Sequence, residues 1–471
     1  MSSSNKTIEN GLFIFHRDFR ITDNIGLIEA GKLCKNLYTC FIFTPEQVGK
    51  GNDYRSQNAI QFMIESLEDL ESQIHIKGGK LLVFYGKQLD IIRQLVKELA
   101  IQGVFFNKDY TPYAVKRDIE AQELCNKLEI KWQMFSDYYL YEPGTINTGT
   151  NVHASAYKKY TPFYLKVAHM NPLPPSMSKV NNLKTTTKSL SHELSLKSAM
   201  TKFTHPNPNI LVDGGRTEGI KRLKMAIQQQ KHYDKDRDTF IYNTTFLSAY
   251  LKFGCVSVRE VYSAIKRTFG LSHGIIRELL WREFFAHVLY SYPEVVGQSY
   301  QERYRHIKWR HSTSSFDKWT KGQTGFPIVD ACMRQLNTTG YMHNRGRMTT
   351  SSFLVKVLLI DWREGEKYFA QKLTDYDIAS NNGGWQGTSG TGVDMKPYFR
   401  DMNPWIQSAK FDKDAEFIKK WVPELESVDA KDIHKWSTMC DNPKYKDVKY
   451  PKPMVDYDEQ KKEMLDMYKN A

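Results

Sequence analysis

Along residues 1–135, four short apolar runs alternate with stretches whose apolar residues recur at three- and four-residue spacing. The runs are Gly11-Leu-Phe-Ile-Phe15, Leu37-Tyr-Thr-Cys-Phe-Ile-Phe43, Lys80-Leu-Leu-Val-Phe-Tyr85 and Gly103-Val-Phe-Phe106. Runs this short suit buried strands, whereas Ala59 to Ile74 and Leu89 to Leu99 carry the helical period. Strands that alternate with helices imply a parallel sheet, because parallel neighbours need a crossover, and the crossover helices cover both faces. The expected class is therefore α/β. It comprises an N-terminal doubly wound parallel-sheet domain (1–135) and a long linker (136–213) to an all-helical domain (214–471).

The linker shows in its composition. Pro172, Pro174 and Pro175 precede a Lys/Ser/Thr/Asn-rich run through Thr201, and Pro206 and Pro208 close it. Such a stretch is expected to wrap the surface and to be partly ordered at best. Beyond Gly214-Gly215, strand patterns nearly vanish. Helices are expected at 219–230, 257–269, 273–290, 327–336, 344–359, 362–373 and 414–421. Ser257 and Ser272 are expected N-caps, Pro327 suits a first helical turn, and Asp361 with Glu364 resembles a capping pair.

A net charge of +13 favours a polyanionic partner such as DNA or RNA. The six cysteines (Cys34, Cys40, Cys125, Cys255, Cys332, Cys440) form no C-x-x-C pair, which argues against zinc and a disulfide scaffold and suits a reducing compartment. Met1 to Thr7 lacks the apolar core of a signal peptide, and no apolar run approaches membrane-spanning length. The expectation is an intracellular, soluble protein with no membrane partner; cytoplasm and nucleus are not distinguished.

The chemistry-bearing residues cluster late. On the 273–290 helix, Glu278, Trp281, Arg282 and Phe285 fall at i, i+3, i+4 and i+7, one face carrying a carboxylate, an indole and a guanidinium. They could line a pocket or form a surface salt bridge beside a packed Trp. In Tyr341-Met-His-Asn-Arg-Gly-Arg-Met348, Asn344, Arg347, Met348 and Ser351 share a face, with Arg345 turned aside. Asn bonds a ring edge in both senses, and Met offers a soft surface to a flat ring. Arg347 could pair with Asp375 or Asp377. Asp375-x-Asp377 lacks the convergent ligands of a metal site, so no metal is expected. Gly387-Thr-Ser-Gly-Thr-Gly392 lacks the Lys of a phosphate loop, Arg17-Asp-Phe-Arg20 stands where a dinucleotide fingerprint would be, and no G-x-S-x-G elbow occurs.

Phe15-His-Arg-Asp-Phe-Arg-Ile-Thr-Asp-Asn24, Trp281-Arg-Glu-Phe-Phe285, Thr324-Gly-Phe-Pro-Ile-Val-Asp-Ala331, Asp361-Trp-Arg-Glu-Gly365, Asp375 to Trp385 and Pro397-Tyr-Phe-Arg400 occur in one order over nearly the whole chain. Together they resemble the photolyase/cryptochrome family, most closely its class I cyclobutane pyrimidine dimer photolyases. The resemblance implies light-driven repair of DNA by electron transfer from reduced, anionic FAD, in a protein acting as a monomer.

Carried over residue by residue, it implies that Tyr233 and Thr244, Thr245, Phe246, Leu247 and Ser248 hold the FAD phosphates and ribityl chain. Arg282, Arg347, Asp375, Tyr376 and Asp377 would hold its polar edges, and Asn381 would face flavin N5. Trp385, Trp362 and Trp309 match an electron relay. Glu278, Trp281, Asn344 and Met348 match contacts to the flipped dimer, and Arg237, Arg345 and Arg400 match phosphate contacts. Extruding a dimer costs less than extruding intact bases, which contributes selectivity.

Three departures stand out. Phe246 and Ala249 replace the Arg/Lys and Pro of the phosphate motif. Gly387 stands where a second lesion-stacking Trp is common. Folate contacts near Lys50 to Asn52 and Thr111 are not recognisable, so a second, antenna chromophore is expected without an identity, in the cleft near Asn107 to Tyr113. The rival reading is a cryptochrome-type light receptor. A (6-4) photolyase would place histidines at Asn344 and Met348.

Overall fold

The computed structural model describes residues 8–149, 155–394 and 397–471; the Met1 to Thr7 stretch lies outside them. Five parallel strands form one sheet, β1 (Ile8–Phe15), β2 (Cys34–Phe43), β3 (Leu81–Tyr85), β4 (Gly103–Asn107) and β5 (Lys131–Phe135), in the order β3-β2-β1-β4-β5. The first four contain the apolar runs. β5 was not foreseen, because it is an edge strand whose Lys131 and Gln133 stay exposed and break the apolar pattern.

Side chains alternate across the sheet, as a two-residue period requires. Phe13 and Phe15 enter one core, beside Leu27 and Leu67 of helices α1 (Ile25–Leu33) and α2 (Gln57–Ile76). Leu12 and Ile14 enter the opposite core with Ile91, Leu95 and Leu124 of α3 (Gln88–Glu98) and α4 (Pro112–Lys127). The first core runs on into Tyr250, Phe253, Leu279 and Phe284, so the helical region packs against that same side.

The linker is better ordered than its composition suggested. Leu37 N–H donates to the Asn182 carbonyl at 2.9 Å, Tyr85 N–H to His192 at 3.3 Å, and Leu194 N–H to Val83 at 2.8 Å. The last two bonds cover the β3 edge, which would otherwise be an open template for pairing. The linker also carries α5 (Tyr160–Ala168).

Beyond residue 214 no strand occurs among the described residues. Four helices matter for the site: α6 (Gly274–Ser291), α7 (Asn344–Lys356), α8 (Trp362–Lys372) and α9 (Ile378–Ser389). Ser257 makes a capping box with Glu260. Two caps differ from expectation. His273 rather than Ser272 caps α6, accepting from Ile275 N–H, and the Asp361 carboxylate binds Arg363 rather than pairing with Glu364. No helix among the described residues is long and apolar enough to cross a membrane.

The strand order reverses direction between β1 and β4, which opens a crevice beyond their C-terminal ends. Arg17, just past β1, spans it. Its guanidinium meets Asp109 beyond β4 at 2.8 Å and Asp377 at the start of α9 at 3.1 Å.

Candidate active site

α6, α7, α9 and the 244–248 segment enclose a cavity of about 360 Å³. α9 reaches it through close packing. A Cβ at Gly383 would lie 2.1 Å from Phe285 Cδ1, and a Cβ at Gly365 on α8 would lie 2.1 Å from Trp385 Cη2. Only glycine lets these backbones approach so near. Gly384 and Gly387 differ, since a Cβ at either meets nothing within 4 Å. One side of α9 is therefore an open wall.

Every residue linked above to the cofactor lines this cavity: Tyr233, Thr244, Thr245, Phe246, Leu247, Ser248, Arg282, Arg347, Asp375, Tyr376, Asp377 and Asn381. So do Glu278, Trp281, Asn344, Met348 and Trp385. Arg237, Arg345, Arg400, Trp309 and Trp362 stand outside its walls. Lys252, Tyr341, Ser351 and Thr388 line it without having been singled out for a role. Lys252 lies four residues after Ser248, one helical turn along, and that spacing was its available signal.

The polar groups are arranged in pairs. Arg347 clamps Asp375 with two bonds of 3.0 and 2.8 Å, and its Nε donates to the Met342 carbonyl at 2.9 Å. Asp377 caps α9 through Ser380 N–H at 3.0 Å. Burial would raise its pKa, but Arg17, Lys252 and Arg282 outweigh burial and hold it down to about 2. Lys252 itself is pulled below the ordinary lysine range by burial and by Arg17. Arg282 donates to the Tyr138 carbonyl at 2.9 Å and lies 4.4 Å over the Tyr139 ring. Asn381 donates to the Glu366 carbonyl at 3.3 Å. Phe246 has a left-handed backbone (φ 51°), and its ring meets Tyr341 edge-on at 5.2 Å.

The outer face carries its own pairs. Glu278 is ion-paired with Arg237, so two residues assigned separate roles form one unit. Burial raises the Glu278 pKa, with Arg237 opposing. Arg345 meets Asp238 at 2.5 Å and sits 4.5 Å over the Phe411 ring. The exposed Asn344 places its amide 3.9 Å from Met348 Sδ. Arg400 is exposed on the loop before the 404–411 helix.

Trp385, Trp362 and Trp309 belong to one hydrophobic cluster and are 2%, 0% and 9% exposed. The Trp385 Nε1 is buried and finds no hydrogen-bond partner among the described residues. Among those residues no three His, Cys, Asp or Glu side chains gather as metal ligands.

The cavity suits a large, polar-ended planar ligand. Hydroxyls of Thr244, Thr245 and Ser248 line it together with the Arg347–Asp375 pair, Asp377 and Asn381. The open glycine wall, bordered by Phe285 and Trp385, leaves room for a flat ring. Such a donor and acceptor set fits FAD.

Comparison with known proteins agrees. Residues 275–470 match the FAD-binding domain of DNA photolyase, and residues 12–178 match the DNA photolyase family. The chain is 34% identical to the deoxyribodipyrimidine photo-lyase of Alkalihalophilus pseudofirmus, over 97% of each. It superimposes on an archaeal photolyase of Sulfolobus tokodaii, solved with two FAD molecules, with TM-score 0.87 and 36% identity over 98% of this chain and 100% of that one. A cryptochrome of Synechocystis matches with TM-score 0.89 and 26% identity, over 98% and 100%.

Proposed function

The chain belongs to the photolyase/cryptochrome family, and from that premise we propose that it repairs cyclobutane pyrimidine dimers in DNA by light-driven electron transfer, acting as a monomer. The observation that carries this reading is a shared space. Glu278, Trp281, Asn344 and Met348 line the same cavity as Arg347, Asp375, Asp377 and Asn381. A lesion held by the first set would lie in the same space as a cofactor held by the second.

Bound, reduced FAD supplies the photoexcitable electron donor. The protein's own residues bind, orient and exclude water. Arg347 and Asp375 would hold polar groups of the cofactor. Asp377, kept ionised by Arg17, Lys252 and Arg282, adds a fixed negative charge to the same cavity wall. Asn381 presents its amide from the first turn of α9. Trp281 offers its indole face to a flipped base, and Glu278 accepts or donates a hydrogen bond at the base edge. Forming that bond means loosening the Glu278–Arg237 pair, which a DNA phosphate near Arg237 would do by taking over the guanidinium. Trp385, Trp362 and Trp309, buried in one hydrophobic cluster, would relay an electron inward to the flavin.

For a second chromophore we favour a polar cleft of about 520 Å³ lined by Lys50, Asn52, Arg55, Lys202 and His205, rather than the Asn107 to Tyr113 stretch. It lies beyond the ends of β2 and β3, where Phe203 meets Phe43 and Tyr85 at 5.1 Å each. The β1/β4 crevice, where ligands of open α/β sheets otherwise bind, is instead spanned by Arg17 in its pairs with Asp109 and Asp377.

The open wall at Gly387 favours a second reading, a cryptochrome-type receptor with little repair. One assay separates the two. Flavin-loaded, reduced protein is mixed with an oligonucleotide carrying one thymine cyclobutane dimer, and the products are chromatographed after blue light and after darkness. Light-dependent recovery of intact oligonucleotide supports repair. Photoreduction of bound flavin without dimer splitting transfers the chain to the receptor reading. Binding should also weaken steeply with salt, because phosphate contacts release counterions.

A further inference from the structure

Trp281 does not stand alone. The ring of Tyr160, at the start of α5, lies flat against it, with centroids 3.7 Å apart and planes within 8°. Tyr160 is itself only 8% exposed, and its hydroxyl donates to the Arg277 carbonyl at 2.8 Å, one turn before Trp281 on α6. Phe284 meets the Tyr160 ring edge-on at 5.9 Å and packs against Phe163 of α5 at 5.6 Å. The tyrosine is thus anchored to the backbone of the helix that carries the indole and is wedged from behind. Trp281 lines the cavity and Tyr160 does not, so Tyr160 covers the indole face turned away from it.

This arrangement has a physical consequence. An indole on a half-exposed helix position turns about two side-chain torsions, and stacking on a base would freeze both. Stacked on an immobile ring, Trp281 has lost that freedom on folding, and one face only remains to receive a partner. The rings lie almost directly over one another, so the contact covers nearly a whole indole face and leaves the pair no room to slide. α5 belongs to the linker, so a segment remote from α6 in sequence sets the attitude of the cavity's principal aromatic wall.

We propose that Tyr160 is a positioning residue for lesion recognition, holding the Trp281 indole in the plane that a flipped pyrimidine dimer stacks upon. The assignment rests on the repair reading above. It gives the linker a part in substrate selection beyond joining the domains.

The test is a dark binding titration of flavin-loaded protein with two labelled duplexes, one carrying a single thymine cyclobutane dimer and one undamaged. Tyr160→Ala should weaken binding of the damaged duplex roughly 2- to 10-fold, the span expected for losing one aromatic pair. Binding of the undamaged duplex should not change. Tyr160→Phe keeps the ring and should restore dimer affinity, which a merely structural hydroxyl would not allow. In a Trp281→Ala background, Tyr160→Ala should add little, since the two act as a unit. Flavin content and thermal melting report whether each variant is folded; Tyr160→Leu, which keeps apolar volume but no ring face, stands in if the alanine variant is not. Equal losses on both duplexes, or an undiminished effect without Trp281, would overturn the role of Tyr160. If wild-type protein binds both duplexes alike, the repair reading fails as well.

Discussion

Replacing Arg347 by methionine keeps the length of the side chain and removes its charge. Asp375 then loses both of its guanidinium bonds, at 3.0 and 2.8 Å, while its side chain is only 5% exposed. Breaking a buried pair from one side costs about 3–5 kcal/mol, because the remaining charge is stranded. Arg347 is 26% exposed, so part of its own charge is screened by water and the lower figure, about 3 kcal/mol, applies. For a cooperative helical unit of roughly 250 residues this corresponds to a fall in Tm of about 6 °C. Melting of the cofactor-free protein by circular dichroism measures the effect without the stabilisation that bound ligand would add. Adding Asp375→Asn removes the stranded charge and should recover most of the loss, so the double variant should melt within about 1–2 kcal/mol of wild type. Flavin retention should stay low in both, since neither has the guanidinium. A single variant that melts like wild type, or a double variant no better than the single, would refute the account of a buried pair.

The open wall at Gly387 predicts that Gly387→Trp folds normally, as its Cβ meets nothing within 4 Å, and that it binds a dimer-containing duplex about tenfold more tightly in a gel-shift titration. Trp362→Phe should slow photoreduction of the bound, oxidised flavin by more than about tenfold in a steady-illumination absorbance assay, with dark affinity for the dimer duplex unchanged. Burial pushes the Glu366 carboxyl up to about 7, with Asn382 opposing. The folded state therefore holds this proton more tightly than the unfolded chain, and stability is lost as pH rises from the ordinary carboxylate range through about 7. Glu366→Gln removes that loss, so denaturant titrations should find the variant ahead of wild type by up to about 3 kcal/mol at pH 8.5 and not at pH 4.5.

What sequence patterns could reveal was the local part of this site. Glu278, Trp281 and Arg282 on one helical face, and Asn344, Arg347 and Met348 on another, follow from three- and four-residue spacing alone. The Arg347–Asp375 pair was one of two alternatives that complementary charge allowed. α9 escaped notice as a helix because Gly383, Gly384 and Gly387 are poor helix formers, and their packing value appears only once Phe285 is placed against them. β5 escaped because an edge strand need not be apolar. The remaining misses are long-range. Tyr160 meets Trp281 from the inter-domain linker, and Glu278 meets Arg237 across 41 residues. Periodicity reports which face of an element is buried, but not which distant segment covers it.

Arg17 joins these long-range features to function. Asp377 caps α9, and the helix it starts carries Asn381, Gly384 and Trp385 into the cavity. Its charge would be costly in so buried a place without a cation, and the nearest guanidinium comes from the loop after β1, 360 residues away. The same guanidinium meets Asp109 from the loop after β4, so one side chain ties the sheet's crevice to the first turn of the helix that walls the cofactor site. A rigid-body shift of either part would strand a buried carboxylate, which costs several kcal/mol. The sheet region therefore takes part in building the helical site. It fixes the position of α9 and, on the repair reading, would thereby set the distance between the cofactor and a bound lesion.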